Sequence, residues 1–548
     1  MFHWLTTLCL ATVLYLTGIV VYRLYLHPLA QFPGPWPAKV SGLHALYYAW
    51  RGDRHLMQAR SHARYWDYVR LGPNYLSVAS DLGLQEIYGT RANVQKSSFY
   101  HAFVAQKGAW STFTSIDKSL HARKRRVLAP AMTERALKSM GRRINQCIDI
   151  FVTQLARNAD AESGWTPAVN MSELADHVAF DILGDLVFGE GSFQMLTSCA
   201  NRYIMDLIVA TSYWALLVVT PPLVPLLNCY PSVRGTVQGK TQTDTLIRSA
   251  PSPYSVRYQS FRSEPSASSP PSTAEIWAEC RTLIVAGADT VATALAALTH
   301  YLVHNEGAYH RLEEEILTAC PRLREVRFPG PRPAQCPYLD ACIDEALRLS
   351  PPIPGPLPRE VLRGGMALGR GRFVVPAGTV VATAAYALHR HPRYFPQPEV
   401  FWPERWMVGS APGVTLATVR RARQAFCPFG VGARGCVGQS LAYGELRTLV
   451  VRMLGRYRIR LCRQVRVGEG PSAREIGIGV ATDAGASAGA GAGAGAGATL
   501  ADAHADADVT SVQRQGDGVS KGGEEYRMLD RWTAQRDGPF VEFQSRPR

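Results

Sequence analysis

Residues Met1 to Tyr22 contain no Asp, Glu, Lys or Arg, and Leu5 to Val21 is apolar and long enough to span a bilayer. A cleaved signal peptide would need a basic start and a small-residue cleavage site, and neither is convincing here. A buried helix is the other reading, less suited to a run at the extreme N-terminus. Arg23, Lys39, Arg51 and Arg54 follow, which places the bulk of the chain on the cytosolic side. His27 to Pro37 is rich in proline, which removes backbone donors and predicts a hinge rather than a helix. This divides the chain into an anchor (1–22), a linker (23–40) and a domain (41–545).

Within that domain the apolar periodicity is mostly helical. Met132 to Gly191 reads as helix. Met205 to Leu227 is apolar and aromatic, with Tyr213 and Trp214, but Asp206 opens it and Pro221 and Pro222 interrupt it, against a second span. Ser272-Thr-Ala-Glu275 has capping-box spacing and predicts a long helix to about His304. Pro351 to Glu360 cannot be helical. Phe373 to Ala382, β-branched around Pro-Ala-Gly, predicts a strand pair. Gln439 to Arg452 predicts a helix with Leu441, Leu446 and Leu449 inward, and Tyr457 to Leu461 a strand. The fold class is mostly α with small β-sheets (α+β). Low-complexity stretches at 239–272 and 482–522 interrupt it; the second holds the Gly-Ala alternation Ala484 to Ala498 and reads as loop.

Composition narrows the partners. The chain has 548 residues, 47% hydrophobic, with a net charge of +15, so it can build a large core and favours anionic surfaces. No nucleic-acid module or aromatic-interleaved basic repeat is present, which discounts nucleic acid and leaves a membrane surface or an acidic protein. The eleven cysteines include no C-x-x-C pair, which argues against a disulfide framework and fits a reducing, cytosol-facing domain.

The chemistry concentrates at Phe429-Gly-Val-Gly-Ala-Arg-Gly-Cys-Val-Gly438. One cysteine sits in a glycine-rich loop just before a predicted helix. Backbone N–H groups and the helix dipole there favour a thiolate. Such a thiolate is an axial ligand for haem iron. Gly432 and Gly438 would allow a tight turn against a flat cofactor, Arg434 would pair with a propionate, and Phe429 would cover the sulfur.

This stretch matches the F-x-x-G-x-R-x-C-x-G loop of the cytochrome P-450 superfamily at every fixed position, and the chain resembles that family over roughly 22–238, 273–465 and 524–545. The resemblance implies the P-450 fold with an N-terminal transmembrane helix, a haem held by Cys436, and monooxygenation of an apolar small molecule by O2. Tyr22 to Pro35 resembles the membrane-to-domain linker of fungal microsomal members, and Val69 to Val78 their first β-hairpin. His121 and Arg125, four apart on one helix face, resemble residues that reach the propionates, with Arg359 a third candidate; Arg123 and Lys124 are expected to face solvent or a partner. Ala286-Gly-Ala-Asp-Thr290 resembles the segment that lies against the macrocycle. There Ala286 and Gly287 give room, while Thr290 and Asp289 supply protons as O2 is cleaved; Val291 replaces the usual second hydroxyl. Glu345, Arg348 and Arg405 match a structural Glu–Arg–Arg lock. His389 and His391 are not read as metal ligands, and Glu525 to Phe543 resembles the closing hairpin.

The same resemblance implies electrons from NADPH through NADPH-cytochrome P-450 reductase, an acidic partner that would dock on Arg123, Lys124, Arg420, Arg421 and Arg423. It implies a single-pass endoplasmic reticulum protein whose catalytic domain faces the cytosol. The fungal-type linker points to secondary metabolism (terpenoid, polyketide, alkaloid or aromatic substrates). The cavity is expected to include Trp110, Phe113, Tyr213, Trp214, Ile284, Ile353 and Leu357. Two other readings remain at this point: a reductase-independent thiolate-haem isomerase or dehydratase, and a non-catalytic decayed homologue.

Overall fold

Side-chain caps set where several helices begin. In the computed structural model, which describes residues 2–104, 108–189, 191, 193–198, 216, 272–322, 325–462 and 525–547, the first helix is α1 (Phe2–Val21), prolonged by a π-turn at Tyr22–Leu26. His3–Leu26 has a mean hydropathy of 1.9 and none of it is buried, so it is long and apolar enough to cross a membrane. The chain extends at His27 and turns helical again in α2 (Trp36–Val40), with Pro37 in the first turn, where a missing N–H costs nothing. The predicted hinge is thus shorter than the proline pattern implied. Arg23 Nη1 donates to Val40 O at 2.6 Å and Arg70 Nη1 to Arg23 O at 2.6 Å, fastening the linker to the first sheet.

α3 (Leu43–Arg51) and α4 (Arg54–Tyr65) lead into the hairpin β1 (Tyr68–Gly72) and β2 (Tyr75–Val78), as expected. α5 (Asp81–Tyr88) starts where the Ser80 hydroxyl accepts from Gly83 N–H. After β3 (Val94–Lys96), α6 (Lys118–Leu128) starts where Asp117 accepts from Leu120 N–H at 2.7 Å. α7 (Glu134–Gln154), β4 (Val169–Asn170) and α8 (Met171–Val187) fill the region read as helical. The capping box at Ser272 and Glu275 is formed and opens α9 (Thr273–His304). α10 (Glu306–Ala319) and α11 (Pro337–Leu349) follow. The second half adds β5 (Arg359–Val361), β6 (Met366–Leu368), β7 (Phe373–Val375), β8 (Val380–Ala382), α12 (Ala385–Leu388), α13 (Leu416–Ala425), α14 (Gln439–Arg456), β9 (Tyr457–Leu461), β10 (Met528–Arg531), β11 (Thr533–Arg536) and β12 (Phe540–Ser545).

The largest sheet runs β1-β2-β8-β5-β3, and a second runs β4-β12-β9. The predicted strand pair at Phe373 to Ala382 does not form. β7 pairs with β6, whereas β8 pairs with β2 and β5, so the Pro-Ala-Gly turn sends the chain between two sheets. α9 is a core helix: Ala292 to Leu302 is buried throughout and packs with α7, α8, α11 and α14 in one hydrophobic cluster. The apolar stretch at 205–227, except Leu216, and the low-complexity stretches 239–272 and 482–522, except Ser272, lie outside the described residues.

Candidate functional site

The Cys436 loop leaves α13 and enters α14 against a cavity of about 330 Å³. Gly432 has a φ of +71°, and a Cβ there would stand 2.0 Å from Tyr88 O, so only glycine fits. We predict that Gly432→Ala lowers the haem-to-protein absorbance ratio of the purified protein several-fold. Gly438 does not share that role: its φ is −89°, ordinary for any residue. What Gly438 supplies is an N–H hydrogen bond to the Cys436 sulfur. Cys436 N–H donates to Phe429 O at 2.7 Å, closing the loop. The Phe429 ring lies tilted on Tyr443 at 5.4 Å and lines the cavity. Cys436 lines the cavity and is exposed. The protein atoms packed around it push its thiol up, opposed by the Gly438 N–H and Arg125.

Across the cavity lies α9. Ala286, Gly287 and Thr290 border it together, as their spacing predicted. A Cβ on Gly287 would meet Leu183 Cδ1 at 2.8 Å, so the glycine is set by packing on α8. The Thr290 hydroxyl donates to Ala286 O at 2.7 Å, which leaves its oxygen as an acceptor. Asp289 does not line the cavity. Its Oδ1 accepts from Arg536 Nη1 at 2.8 Å, and Arg536, on β11, also pairs with Asp176.

Basic side chains ring one end. His121, Arg125, Arg359 and Arg434 all border the cavity, and so does Lys96, which the sequence reading missed. Arg434 donates to the carbonyls of Ser115, Ile116 and Asp117, Arg359 donates to Tyr100 Oη at 3.0 Å, and Arg125 donates to Gly435 O at 2.6 Å. The Lys96 ammonium sits over the Tyr100 and Phe113 rings. Among the described residues none of the five is in an ion pair. Burial and the positive charge of Arg434, Lys96, Arg125 and Arg359 push His121 down to about 3, and burial with Arg359 and Arg434 pushes Lys96 well down. So concentrated a set of basic groups calls for an anionic ligand.

Lys124 corrects an expectation. It is buried, with Nζ 3.0 Å from Glu275 and 3.7 Å from Glu279, while Arg123 is exposed as predicted. Of the apolar residues expected to line the cavity, Phe113, Ile353 and Leu357 do so; Ile284 packs in the core instead, and Trp110 lies against His101.

The loop is held from behind. Glu345 and Arg348 are fully buried on α11, with Arg348 Nη2 2.8 Å from Glu345 Oε1, and Arg405 Nε reaches the same oxygen at 3.0 Å. Trp402 N–H and Trp406 Nε1 also donate to Glu345, each at 2.9 Å. Arg348 donates to His389 O, and His389 Nδ1 faces Arg348 O. His389 Nε2 accepts from Cys427 N–H at 2.9 Å, nine residues before Cys436. Burial beside Arg348 pushes His389 down to about 3, so it is neutral and both ring nitrogens are used in the scaffold. No local pattern signals this link, because it joins segments far apart in the chain.

A thiol facing a small-residue helix wall, with unpaired cations at one end, fits a flat dianionic haem, and this fold and site define a haem-thiolate protein. The family profile described as Cytochrome P450 matches residues 68–479, and the chain belongs to that family. It is similar to cytochrome P450 monooxygenase AKT7 of Alternaria alternata, 35% identical over 480 residues (84% of this chain, 89% of the relative). It is also similar to cytochrome P450 monooxygenase atnE of Emericella nidulans, 34% identical over 482 residues (82% and 89%), and to poxM of Penicillium oxalicum, 34% identical over 465 residues (82% and 87%). The protein is a haem-thiolate cytochrome P450 monooxygenase of the kind found in fungi.

Proposed function

We propose that Cys436 is the axial ligand of the haem iron and that this site oxidises an apolar small molecule in fungal secondary metabolism. The carrying observation is the Cys436 thiol in a cavity ringed by Lys96, His121, Arg125, Arg359 and Arg434. When bound, haem supplies the redox chemistry that splits O2. Cys436 would hold the iron through its sulfur as a thiolate. Arg125, Arg359, Arg434, Lys96 and His121 would hold the propionates, and Ala286 and Gly287 would leave room for the ring.

Thr290 presents a hydroxyl oxygen to the cavity and holds a proton at Oγ1. Asp289 sits one residue earlier, turned aside by its hydrogen bond from Arg536. Proton delivery then runs through Thr290, with Asp289 as the nearby carboxylate that replenishes it. Thr290→Ala is expected to lower product formed per NADPH about tenfold or more, with hydrogen peroxide released instead. Unchanged coupling removes the assignment. A requirement for NADPH also separates this reading from a reductase-independent isomerase.

Electrons come from NADPH through a membrane-bound reductase whose acidic surface meets a basic face. α13 presents Arg420 and Arg421 to solvent, whereas Arg423 is engaged by Asp344 and stacks on Trp406. Reversing charge at Arg420 and Arg421 together is expected to slow haem reduction several-fold at low salt and less at high salt, measured by stopped flow. α1 is the single-pass anchor in the endoplasmic reticulum, with the domain on the cytosolic side.

A further inference from the structure

Glu279 stands on α9 seven residues before Ala286 and is 1% exposed. Its Oε1 is held: Thr112 donates through its N–H at 2.5 Å and its hydroxyl at 2.9 Å, and Lys124 Nζ lies 3.7 Å away. Its Oε2 is buried and has no hydrogen-bond partner among the described residues. Glu279 borders the same cavity as Cys436, beside Phe103, Phe113 and Thr282. A buried acceptor left without a donor costs free energy that a fitting ligand recovers.

The surrounding charges select the donor. Lys124 is shared between Glu279 and Glu275. The Lys124 ammonium already answers this carboxylate, so a cationic ligand gains little. A ligand carboxylate would meet Glu279 and Glu275. Burial, opposed by Lys124 and Thr112, raises the Glu279 carboxyl to about 7, which further favours a neutral partner. An uncharged O–H or N–H is what the site lacks.

We propose that Glu279 orients the substrate by accepting at Oε2 a hydrogen bond from a hydroxyl or amide N–H on an otherwise apolar molecule. The inference rests on the function proposed above, because it assigns this cavity to the substrate. A helix rises 1.5 Å per residue, so Glu279 lies about 10 Å along α9 from Ala286. Glu279 is a specificity-determining residue and takes no part in proton delivery.

The test uses the full-length holoenzyme and two probes, 1-dodecanol and its methyl ether, titrated against the Soret shift that accompanies substrate binding. The alcohol is expected to bind about tenfold more tightly than the ether, which lacks the donor. Glu279→Leu should bring that ratio close to one, while Glu279→Gln, whose amide oxygen still accepts, should keep most of it. Equal responses to the two probes in the wild type, absent responses included, overturn the proposal, as does a preference that survives Glu279→Leu. The reduced carbon-monoxide spectrum of each protein separates the two claims: its failure in the wild type defeats the thiolate site, not Glu279. If the Leu variant loses haem, the wild-type ratio and the Gln variant still decide.

Discussion

Glu345→Ala is expected to abolish haem-loaded protein. The substitution removes the one carboxylate that two buried guanidiniums share and strips the acceptor from Trp402 N–H and Trp406 Nε1. Breaking a buried ion pair from one side costs about 3–5 kcal/mol, because a charge is left buried and unpaired. Whole domains are stable by only about 5–15 kcal/mol. The damage also has a direction. Arg348 holds His389 through the His389 carbonyl, and His389 holds Cys427 at the entry to the Cys436 loop. Haem content should therefore fall before secondary structure does, which absorbance and circular dichroism on the same sample would show; normal haem content would contradict the lock. Burial raises the Glu345 carboxyl, but Arg348 and Arg405 outweigh it, so the folded pKa lies below the ordinary carboxylate value. Its contribution is then present in full above that ordinary value and is lost as pH falls through the lowered one. Near neutral pH the lock should show no pH dependence.

Much of this was legible because the chemistry sits in short, fixed spacings. The Cys436 loop, the Ala286 to Thr290 segment and the Glu345–Arg348 pair are each local, and the structure brings all three to one cavity or to its support. The long helix was equally readable, since Ser272 and Glu275 cap it and its apolar residues continue to His304. What escaped depends on contacts between distant segments. Lys96 lies in a short strand, and only the closing of β3 on β5 brings it beside Arg359. Arg536 meets Asp289 across most of the chain. The turn after Val375 showed where the chain reverses but carried no information on which strands it joins. Lys124 is different, because its signal was present. It follows His121 by three residues and precedes Leu128 by four, the inner face of α6, yet the surrounding run of basic residues made it look solvated.

Cys436→Ser should leave a folded protein that has lost its characteristic chemistry. Serine is close in size, the loop is closed by backbone hydrogen bonds and by glycine at 432, and the lock behind it does not touch the side chain. The cation ring would still offer its charges to the propionates. A hydroxyl oxygen, however, is a much weaker donor to iron than a thiolate, and turnover with NADPH and reductase should fall by about a hundredfold or more. The measurement that tests this most directly is the reduced, carbon-monoxide-bound absorption spectrum of the wild type beside Cys436→Ser. The account predicts a strongly red-shifted Soret band in the wild type and its loss in the variant. A wild-type band typical of histidine-ligated haem, or a red-shifted band that persists in the variant, would contradict ligation by Cys436.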